Sequence, residues 1–499
     1  MAGVGSLMRI PYVLNEGSDR RRSSRRSLHP ADNQVGSHMP RTTRLALAVL
    51  VTASASLIAC SDRPTAPARG YVPGRRDLAA TADQVTPALV RQLATARGIV
   101  PLAPPPPVRP ALVKLGQALA FDKILSGNRN IACTTCHLPK YATGDGKSLA
   151  VGEGGVGLGP TREHPNGVFI PRNAPSFFNL YAMRHLFWDG RVQIDAQHQF
   201  HTPAGAQLTP AMQKVLEFGP VSALGMFPVT SRIEMRGAPG TDLGDLADDD
   251  FTGIWAGIMR RLGAIPEYRA LFEAAYPGTR FDDMTFAHAS NAIGGFIVDQ
   301  FTFRNSPWDR FLAGDDGALT TGQLEGAQTF LSLKCSICHT GATLSDEQFH
   351  DVALAQIGPG EGNGASTHDD FGRMNVTGDP ADLYRFRTSP LRNVTLTGPY
   401  GHDGSYVSLR DFIAHYSESD LALLNYNPMQ LETALQTTLQ PTASAILANR
   451  DTLLNGVVLA PDIVDKLMDY MQALTDDAAR NLSRSVPVRV PSRLPVDRP

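Results

Sequence analysis

Apolar residues recur at every third or fourth position in several stretches of the chain, which is typical of amphipathic helices. One such pattern places Leu112, Leu115 and Leu119 on a single helix face. Similar patterns occur at 254–262, 268–276, 285–301, 323–333, 409–416 and 461–474. The intervening segments are rich in Gly, Pro and Asn, and no sustained alternation of apolar and polar residues predicts long strands. The sequence therefore predicts an all-α fold in which short helices are joined by long loops.

Two of these helices each precede a Cys-x-x-Cys-His sequence, which is typical of covalent c-type haem attachment. The two motifs are Cys133, Cys136 and His137, and Cys335, Cys338 and His339. The two thiols of a motif would add to the two vinyl groups of one porphyrin, and the histidine would be the proximal iron ligand. A zinc site or a redox dithiol would not require a histidine after each pair. We therefore expect two covalent haems, each wrapped by one cytochrome c-like domain, at 110–315 and 316–478.

Length and charge limit the remaining possibilities. The 499 residues, 42% of them hydrophobic, are enough for two or three domains with cores of their own. The net charge of −2 and the position of the Arg clusters at the chain ends give no reason to expect a nucleic-acid partner.

Residues 1–60 are interpreted as an N-terminal extension followed by a lipoprotein signal peptide. Arg41 and Arg44 precede an apolar run at 45–59 that is shorter than a spanning helix of about 20 residues. The run ends in a sequence similar to a lipobox, and cleavage before Cys60 would leave an acylated cysteine. We therefore expect a periplasmic protein that contacts a membrane only through a lipid anchor at Cys60. Ser61 next to this cysteine resembles the sorting signal for the outer membrane.

Two further segments are expected to lie outside the haem domains. Residues 61–109 are rich in Pro and Ala and predict a tether, with a short helix at 87–97. Residues 479–499 predict a flexible tail.

Several short sequences resemble those of the bacterial di-haem cytochrome c peroxidases and their MauG-like relatives, in the same order along the chain. They lie at 121–126, 171–176, 187–191, 234–235, 391–394 and 399–404, so the resemblance covers roughly residues 110–475. It implies that the haem on His137 is the peroxidatic one and that the haem on His339 transfers electrons.

The resemblance also implies roles for individual residues near the first haem. Glu234 would be the distal acid/base, with Gln199 (or Gln197) as its distal glutamine, although 204–230 is an apparent insertion. Trp188 would lie between the haems. His164 would either be a distal ligand that caps the first iron until reductive activation, or an ordinary loop histidine.

The family further implies a sixth ligand for the second iron and a calcium site. Counting from His402, the ligand position is Tyr416, as in MauG-like proteins, whereas peroxidases have methionine there. Rival ligands in this chain are Met374, Met429 and His415. The family's interdomain Ca²⁺ would be bound by Asn173, Thr397 and Pro399, whose oxygen ligands suit that ion.

Three functions follow as hypotheses. The first is a peroxidase that reduces hydrogen peroxide with electrons from a small cytochrome c or cupredoxin. The second is a MauG-like enzyme that uses peroxide to oxidise a protein or another external substrate. The third is a di-haem cytochrome that only transfers electrons. The family commonly forms homodimers, an assembly that the resemblance allows for this chain, but the sequence itself does not fix the oligomeric state.

Overall fold

Residues 85–498 are described by the computed structural model, and they are predominantly helical. The α-helices are α1 Pro87–Ala96, α2 Pro110–Ala120, α3 Cys133–Cys136, α4 Pro210–Gln213, α5 Pro220–Leu224, α6 Phe251–Gly263, α7 Pro266–Ala275, α8 Phe286–Gln300, α9 Pro307–Leu312, α10 Thr321–Ser332, α11 Cys335–Cys338, α12 Met374–Thr377, α13 Leu409–His415, α14 Ser419–Leu424, α15 Ala443–Asn449 and α16 Pro461–Ala473. All the helices predicted from periodicity are present. Proline at the first position starts many of them, because its fixed φ suits a helix and its missing N–H is not needed there.

The described strands are short, which agrees with the lack of strand patterning in the sequence. They are β1 His185–Leu186, β2 Val192–Ile194, β3 Phe200–His201, β4 Phe349–His350 and β5 Phe386–Arg387. The first three form an antiparallel sheet in the order β1-β2-β3, and β4 pairs with β5. The helix-rich fold expected from the sequence is thus confirmed.

Two large hydrophobic cores share a similar arrangement around the two motifs. In the first, α2 crosses α8, and a Cβ at Gly116 would lie 1.9 Å from the carbonyl oxygen of Ala292. In the second, α10 crosses α16, and a Cβ at Gly326 would lie 2.1 Å from the carbonyl oxygen of Lys466. Only glycine permits such close backbone contact. The helix before each motif is therefore held against a later helix in the same way.

Each core packs against one attachment motif. Cys133 and Cys136 contact the first core, and Cys335 contacts the second. Each motif is a single helical turn, α3 or α11, that ends at its histidine. One turn places the two sulfurs on one side, next to the histidine, as attachment to one porphyrin requires. The division into two haem domains remains a prediction.

The ends of the described chain differ from the expected tether and tail. Helix α1, inside the predicted tether 61–109, buries Val90 and Ala94 in the second core. At the other end, 479–498 packs on the first core, where Val490 is fully buried. The prediction of a flexible tail is wrong for 479–498, because the apolar side chains of this segment pack against the first core.

Polar contacts secure the same C-terminal segment. The Asp497 carboxylate accepts a hydrogen bond from Thr135 Oγ1 at 2.5 Å and pairs with Lys123 Nζ at 2.6 Å. Because Thr135 lies inside the first motif, the end of the chain contacts the first attachment site directly.

The predicted signal peptide and the anchor at Cys60 lie outside the described residues. Within 85–498, no helix is long and apolar enough to cross a membrane.

Candidate active site

Both attachment motifs line one continuous cavity with largely apolar walls. The lining includes Phe177, Leu224 and Ile293 beside the first core, and Leu391, Ile413 and Leu467 beside the second. The four motif cysteines are not joined in disulfides, and burial raises the pKa of Cys133 to about 12 and that of Cys335 to about 11. Apolar walls with thiols at two places suit two attached porphyrins.

Each motif histidine is oriented by its own loop. His137 Nδ1 donates to the carbonyl oxygen of Thr143 at 2.9 Å, and His339 Nδ1 donates to that of Leu344 at 3.0 Å. This bond fixes the tautomer and leaves Nε2 free to bind a metal, as is usual for metal-ligating histidines. Burial lowers the pKa of His137 to about 4, so its imidazole is neutral and available as a ligand. Phe177 stacks on that ring with centroids 4.1 Å apart.

A buried arginine also fits the expected cofactors. Arg387 lines the cavity and donates to the carbonyl oxygens of Phe187 and Thr388, and burial lowers its pKa to about 10. Within the described part of the chain, no carboxylate forms a salt bridge with it. A buried cation without a counter-ion is costly, and the propionates of a porphyrin would supply the missing charge.

Glu234 reaches the cavity from a single π-helical turn, Arg232–Arg236. Such turns are frequent at functional sites. Flanking loops support the turn, since Gly127 and Glu153 donate backbone hydrogen bonds to the carbonyl oxygens of Met235 and Ile233. The Glu234 charge acts on both Cys133 and Cys136, which places it beside the first motif. Its position there agrees with the predicted distal acid/base.

Burial raises the pKa of the Glu234 carboxyl, while the Arg191 guanidinium and Ser231 counteract the rise. Arg191 Nη2 is 3.9 Å from Glu234 Oε1, and its guanidinium lies over the Phe187 ring at 3.8 Å. A carboxyl group with a raised pKa next to a cation can accept a proton and return it.

A buried ion-pair network lies behind this carboxylate. Arg172 binds Asp189 through Nη1 at 2.5 Å, and it binds Asp370 through Nε at 2.6 Å and Nη2 at 2.8 Å. Burial alone would raise the pKa of Asp189 and Asp370, but the adjacent guanidinium outweighs burial and holds both below their usual range. Arg172 thereby joins segments that lie 198 residues apart in the chain.

Trp188 and Asn173 lie together in the wall of the cavity. Trp188 Nε1 donates to the Asn173 carbonyl oxygen at 2.9 Å, and the Asn173 backbone N–H donates to the carbonyl oxygen of His402. Trp188 therefore lines the space that both motifs share. Its role in electron transfer remains a prediction.

The three predicted calcium ligands all line this cavity. Asn173 Nδ2 donates to the carbonyl oxygens of Lys147 and Ser148, which turns Oδ1 away from them. Among the hydrogen bonds of residues 85–498, none is accepted by Asn173 Oδ1 or by the carbonyl oxygens of Thr397 and Pro399. Calcium binding by these three residues remains a prediction.

The structure does not place the predicted distal glutamine in the cavity. Gln199 and Gln197 are exposed next to strand β3 and do not line the cavity. The insertion at 204–230 instead brings α5 and the following turn to the site, where Leu224, Gly225 and Pro228 form the wall.

For His164 the sequence left two alternatives, a distal iron ligand or an ordinary loop histidine, and this structure favours the loop histidine. It faces Gly154 outside the cavity, where its Nδ1 accepts a hydrogen bond from the Asn166 N–H at 3.0 Å. The His164 ring is thus hydrogen-bonded within its own turn, and in this structure it does not cap the first iron site.

Tyr416, in contrast, lines the cavity beside the second motif. Burial raises its pKa, and the nearby sulfurs of Cys338 and Cys335 add to the rise. The rival residues lie elsewhere: Met429 is 65% exposed and Met374 does not contribute to the cavity. Both ring nitrogens of His415 are engaged, by Tyr406 Oη and the Val352 carbonyl oxygen.

The structure adds a site residue that the sequence did not suggest. Glu361 lies in a glycine-rich loop after β4, lines the cavity, and has Oε1 3.5 Å from Arg172 Nε. Nothing in the sequence around it distinguishes it from an exposed loop carboxylate. A separate group, Cys338, Asp346 and His350, could hold a metal ion by geometry. Attachment of a porphyrin would commit the Cys338 sulfur, so we do not assign a metal there.

Comparison with known proteins identifies the family. The model of the di-haem cytochrome c peroxidase family matches residues 110–317. Cytochrome c551 peroxidase of Pseudomonas aeruginosa is 30% identical over 308 residues, which are 62% of this chain and 72% of that protein. The chain belongs to the di-haem cytochrome c peroxidase family. As a member of this family it is an oxidoreductase of the peroxidase type, and the family implies two haems.

Both branches of the peroxidase family are represented among its relatives. The methylamine utilization protein MauG of Methylorubrum extorquens is 29% identical over 311 residues, 62% of this chain and 69% of that protein. The crystal structure of a MauG-like protein associated with microbial copper homeostasis has a TM-score of 0.55 at 25% identity and covers 77% of this chain and 96% of its own. The di-haem peroxidase of Burkholderia thailandensis shares the fold, with a TM-score of 0.53 at 20% identity over 79% of this chain and 91% of its own.

Proposed function

We propose that this protein reduces hydrogen peroxide to water with electrons from a small cytochrome c or cupredoxin. The observation that carries the proposal is the position of Glu234 beside the first motif, in a cavity that continues to the second. The motifs would hold two covalent haems, whose irons would bind the peroxide oxygen and store electrons. His137 and His339 would be the proximal ligands.

The residues of the chain would handle the protons of this reaction. One peroxide, two electrons and two protons give two water molecules. Glu234 would accept the proton of the incoming peroxide and return it to the departing oxygen, so that this oxygen leaves as water. Arg191, 3.9 Å away, would keep the carboxylate oriented and favour its ionised form between the two transfers.

Steady-state turnover of the holoprotein tests this function. Peroxide is added to holoprotein and reduced small cytochrome c, and oxidation of the cytochrome is followed by absorbance. Because His164 lies outside the cavity, we expect turnover without prior reduction of the enzyme. Absence of turnover both before and after prior reduction would contradict the peroxidase function.

Tyr416 favours a second candidate function, the MauG-like oxidation of an external substrate. A phenolate ligand stabilises ferric and more oxidised iron relative to a thioether. We propose that Tyr416 is the sixth ligand of the haem held by His339. Tyr384 and Tyr400 also line the cavity, but of the three tyrosines only Tyr416 has a pKa that Cys338 and Cys335 raise.

Replacement of Tyr416 gives a measurable prediction. In Tyr416→Met, the potential of the second haem should rise by on the order of 0.1 V or more, within the roughly 0.8 V range that axial ligands cover. Tyr416→Phe should change its low-spin spectrum. Potentiometry and electron paramagnetic resonance measure both effects. Met374→Leu is the matched control, and a spectral change there with none in Tyr416→Phe would refute the assignment.

We also propose that Asn173, Thr397 and Pro399 bind Ca²⁺. Asn173→Ala should weaken Ca²⁺ binding to the chelator-treated holoprotein by tenfold or more, because it removes one of three available oxygens. Asn173→Asp keeps that oxygen and should retain binding. Asn425→Ala, on an exposed helix end, is the control. Isothermal titration calorimetry measures all three, and equal affinity in Asn173→Ala and the control would exclude the site.

We also propose that the protein is exported to the periplasm and is lipid-anchored at Cys60. Attachment of c-type haems outside the cytoplasm and the lipobox-like sequence support a periplasmic location. Labelling of the expressed protein with a radioactive fatty acid, compared with Cys60→Ala, tests the anchor.

A further inference from the structure

Four aromatic rings form a continuous path from the second attachment motif into the core behind it. Phe330 lines the cavity, and its ring centroid lies 6.4 Å from that of His339. The Tyr470 ring follows at 4.9 Å from Phe330, and the Trp308 ring lies edge to face at 5.0 Å from Tyr470. Neighbouring rings are thus close enough along the whole path for an electron to pass between them.

The helices of the second core hold these rings in place. Phe330 belongs to α10 and Tyr470 to α16, and these two helices cross. Trp308 belongs to α9, which is capped by Ser306, whose Oγ accepts a hydrogen bond from the Asp309 N–H at 3.1 Å. Phe330 is 2% exposed, and Tyr470 and Trp308 are fully buried. The path is therefore shielded from water.

Beyond Trp308 the path continues towards the surface. Phe311 stacks on Trp308 with ring centroids 5.4 Å apart. The Arg91 guanidinium lies over the Phe311 ring at 4.4 Å, and Arg91 Nε donates to the Phe311 carbonyl oxygen at 3.1 Å. The Arg91 side chain is 28% exposed and pairs with the exposed Asp316. The outer end of the path is thus covered by a side chain that reaches solvent.

Neither Trp308 nor Tyr470 is held in this core by a hydrogen bond from its ring. Within residues 85–498, no group accepts a hydrogen bond from Trp308 Nε1 or Tyr470 Oη, although both atoms are buried. Buried Trp and Tyr side chains usually have such a partner. Phe would fill a similar space without bringing a polar atom into the core. The property that distinguishes both residues from Phe at these positions is that their rings are readily oxidised.

The two rings differ in what oxidation requires. A phenol loses its proton when it is oxidised, but Tyr470 Oη has no acceptor in the described part of the chain, and burial raises the pKa of Tyr470. The nearby Asp309 carboxylate is already engaged, since Oδ1 binds Arg392 and Oδ2 binds Ser306. An indole can give up an electron and keep its N–H proton. Trp308 is therefore the ring of the path that can be oxidised without a base.

We infer that Trp308 gives one electron to the haem held by His339, across Tyr470 and Phe330, when hydrogen peroxide has oxidised the protein and no donor is bound. The inference rests on the proposed function, because peroxide is the oxidant. Conversion of one peroxide to two water molecules takes up two electrons and two protons, and Trp308 replaces one of those electrons. The indole becomes a radical cation that retains its N–H proton. A small one-electron reductant at the Arg91 end returns the electron. Trp308 thereby draws oxidising equivalents away from the porphyrins.

Electron paramagnetic resonance tests the inference on holoprotein that is frozen after mixing with hydrogen peroxide in the absence of a donor. The wild type should show an organic radical, and its spectrum should narrow when the protein contains ring-deuterated tryptophan. Trp308→Phe should lose this signal. Trp255→Phe is the matched control and should keep it, because Trp255 is also buried but packs on Phe227 and Phe251 in the first core.

Two variants of Tyr470 test the path itself. Tyr470→Phe keeps the ring and should keep the radical, whereas Tyr470→Leu interrupts the path and should lose it. Loss of the radical in Tyr470→Phe would show that the phenol is oxidised and would refute the assignment to Trp308. Haem absorbance provides a second readout. During exposure to peroxide without a donor, it should be lost faster in Trp308→Phe than in the wild type or Trp255→Phe.

Deuterium labelling needs no substitution, so it holds even if Trp308→Phe fails to fold. A wild-type radical whose spectrum does not narrow is not on tryptophan and refutes the inference. A radical that persists in Trp308→Phe but is lost in Trp188→Phe belongs to Trp188 and also refutes it.

Turnover with reduced small cytochrome c, measured in parallel, separates this inference from the proposed function. If the wild type turns over peroxide but its radical persists in Trp308→Phe, the inference is refuted and the peroxidase stands. If the radical depends on Trp308 but the cytochrome is not oxidised, the inference is upheld and the peroxidase function fails. If peroxide produces neither turnover nor a radical, both are overturned.

Discussion

Glu234→Gln should lower kcat/KM for hydrogen peroxide by roughly 10²- to 10⁴-fold, the usual contribution of a positioned general acid/base. The amide keeps the size of the side chain but can no longer accept the peroxide proton. Steady-state kinetics with a reduced small cytochrome c measure the effect.

The role of Glu234 also predicts the direction in which kcat/KM changes with pH. Burial raises the pKa of Glu234 above its ordinary value, so wild-type kcat/KM should decrease as pH falls through that raised pKa. Glu234→Gln should lack this acidic limb altogether. Haem content and the spectra of both haems should be unchanged in Glu234→Gln. Glu325→Gln is the control and should keep full activity, because Glu325 pairs with Lys466 and does not line the cavity. An active Glu234→Gln variant with a wild-type acidic limb would show that another group is the base.

Arg172→Leu should lower the free energy of unfolding by about 3–5 kcal/mol, which is typical when one partner of a buried charge network is removed. The variant leaves Asp370 buried without the guanidinium that binds it, and leaves Asp189 with only Arg191, 3.2 Å away. Urea denaturation at neutral pH, followed by far-ultraviolet circular dichroism, measures the change.

The effect of Arg172 should depend on pH in a defined direction. Both aspartates have pKa values below their usual range, so their contribution is present above the unfolded-state pKa of about 3.9. It is lost as pH falls, and the difference between wild type and Arg172→Leu should shrink in acid. Arg280→Leu, which breaks an exposed pair with Asp283, is the control and should cost at most about 0.5 kcal/mol. An equal loss in both variants would rule out a buried network.

Only part of the candidate site could be predicted from the sequence, and the errors have a physical cause. Glu234, which the short match at 234–235 suggested, and Tyr416, which the count from His402 suggested, both line the cavity. Gln199 does not line the cavity, whereas Leu224, Gly225 and Pro228 from the segment 204–230 do. No local pattern around His164 could decide between an iron ligand and a loop residue. In the structure its ring accepts a hydrogen bond from the backbone of its own turn.

The sequence by itself determined the two attachment motifs and the helices around them. Attachment of a c-type haem requires five consecutive residues, and helix periodicity is also a local property, so neither needs knowledge of distant contacts. The tertiary structure alone decided that Glu361 lies 3.5 Å from Arg172, that Arg172 joins Asp189 to Asp370, and that 479–498 packs on the first core. These contacts join segments a hundred or more residues apart, with one exception within the Arg172 network. These contacts form because opposite charges pair and apolar side chains are buried when the chain folds, and no spacing along the sequence predicts them.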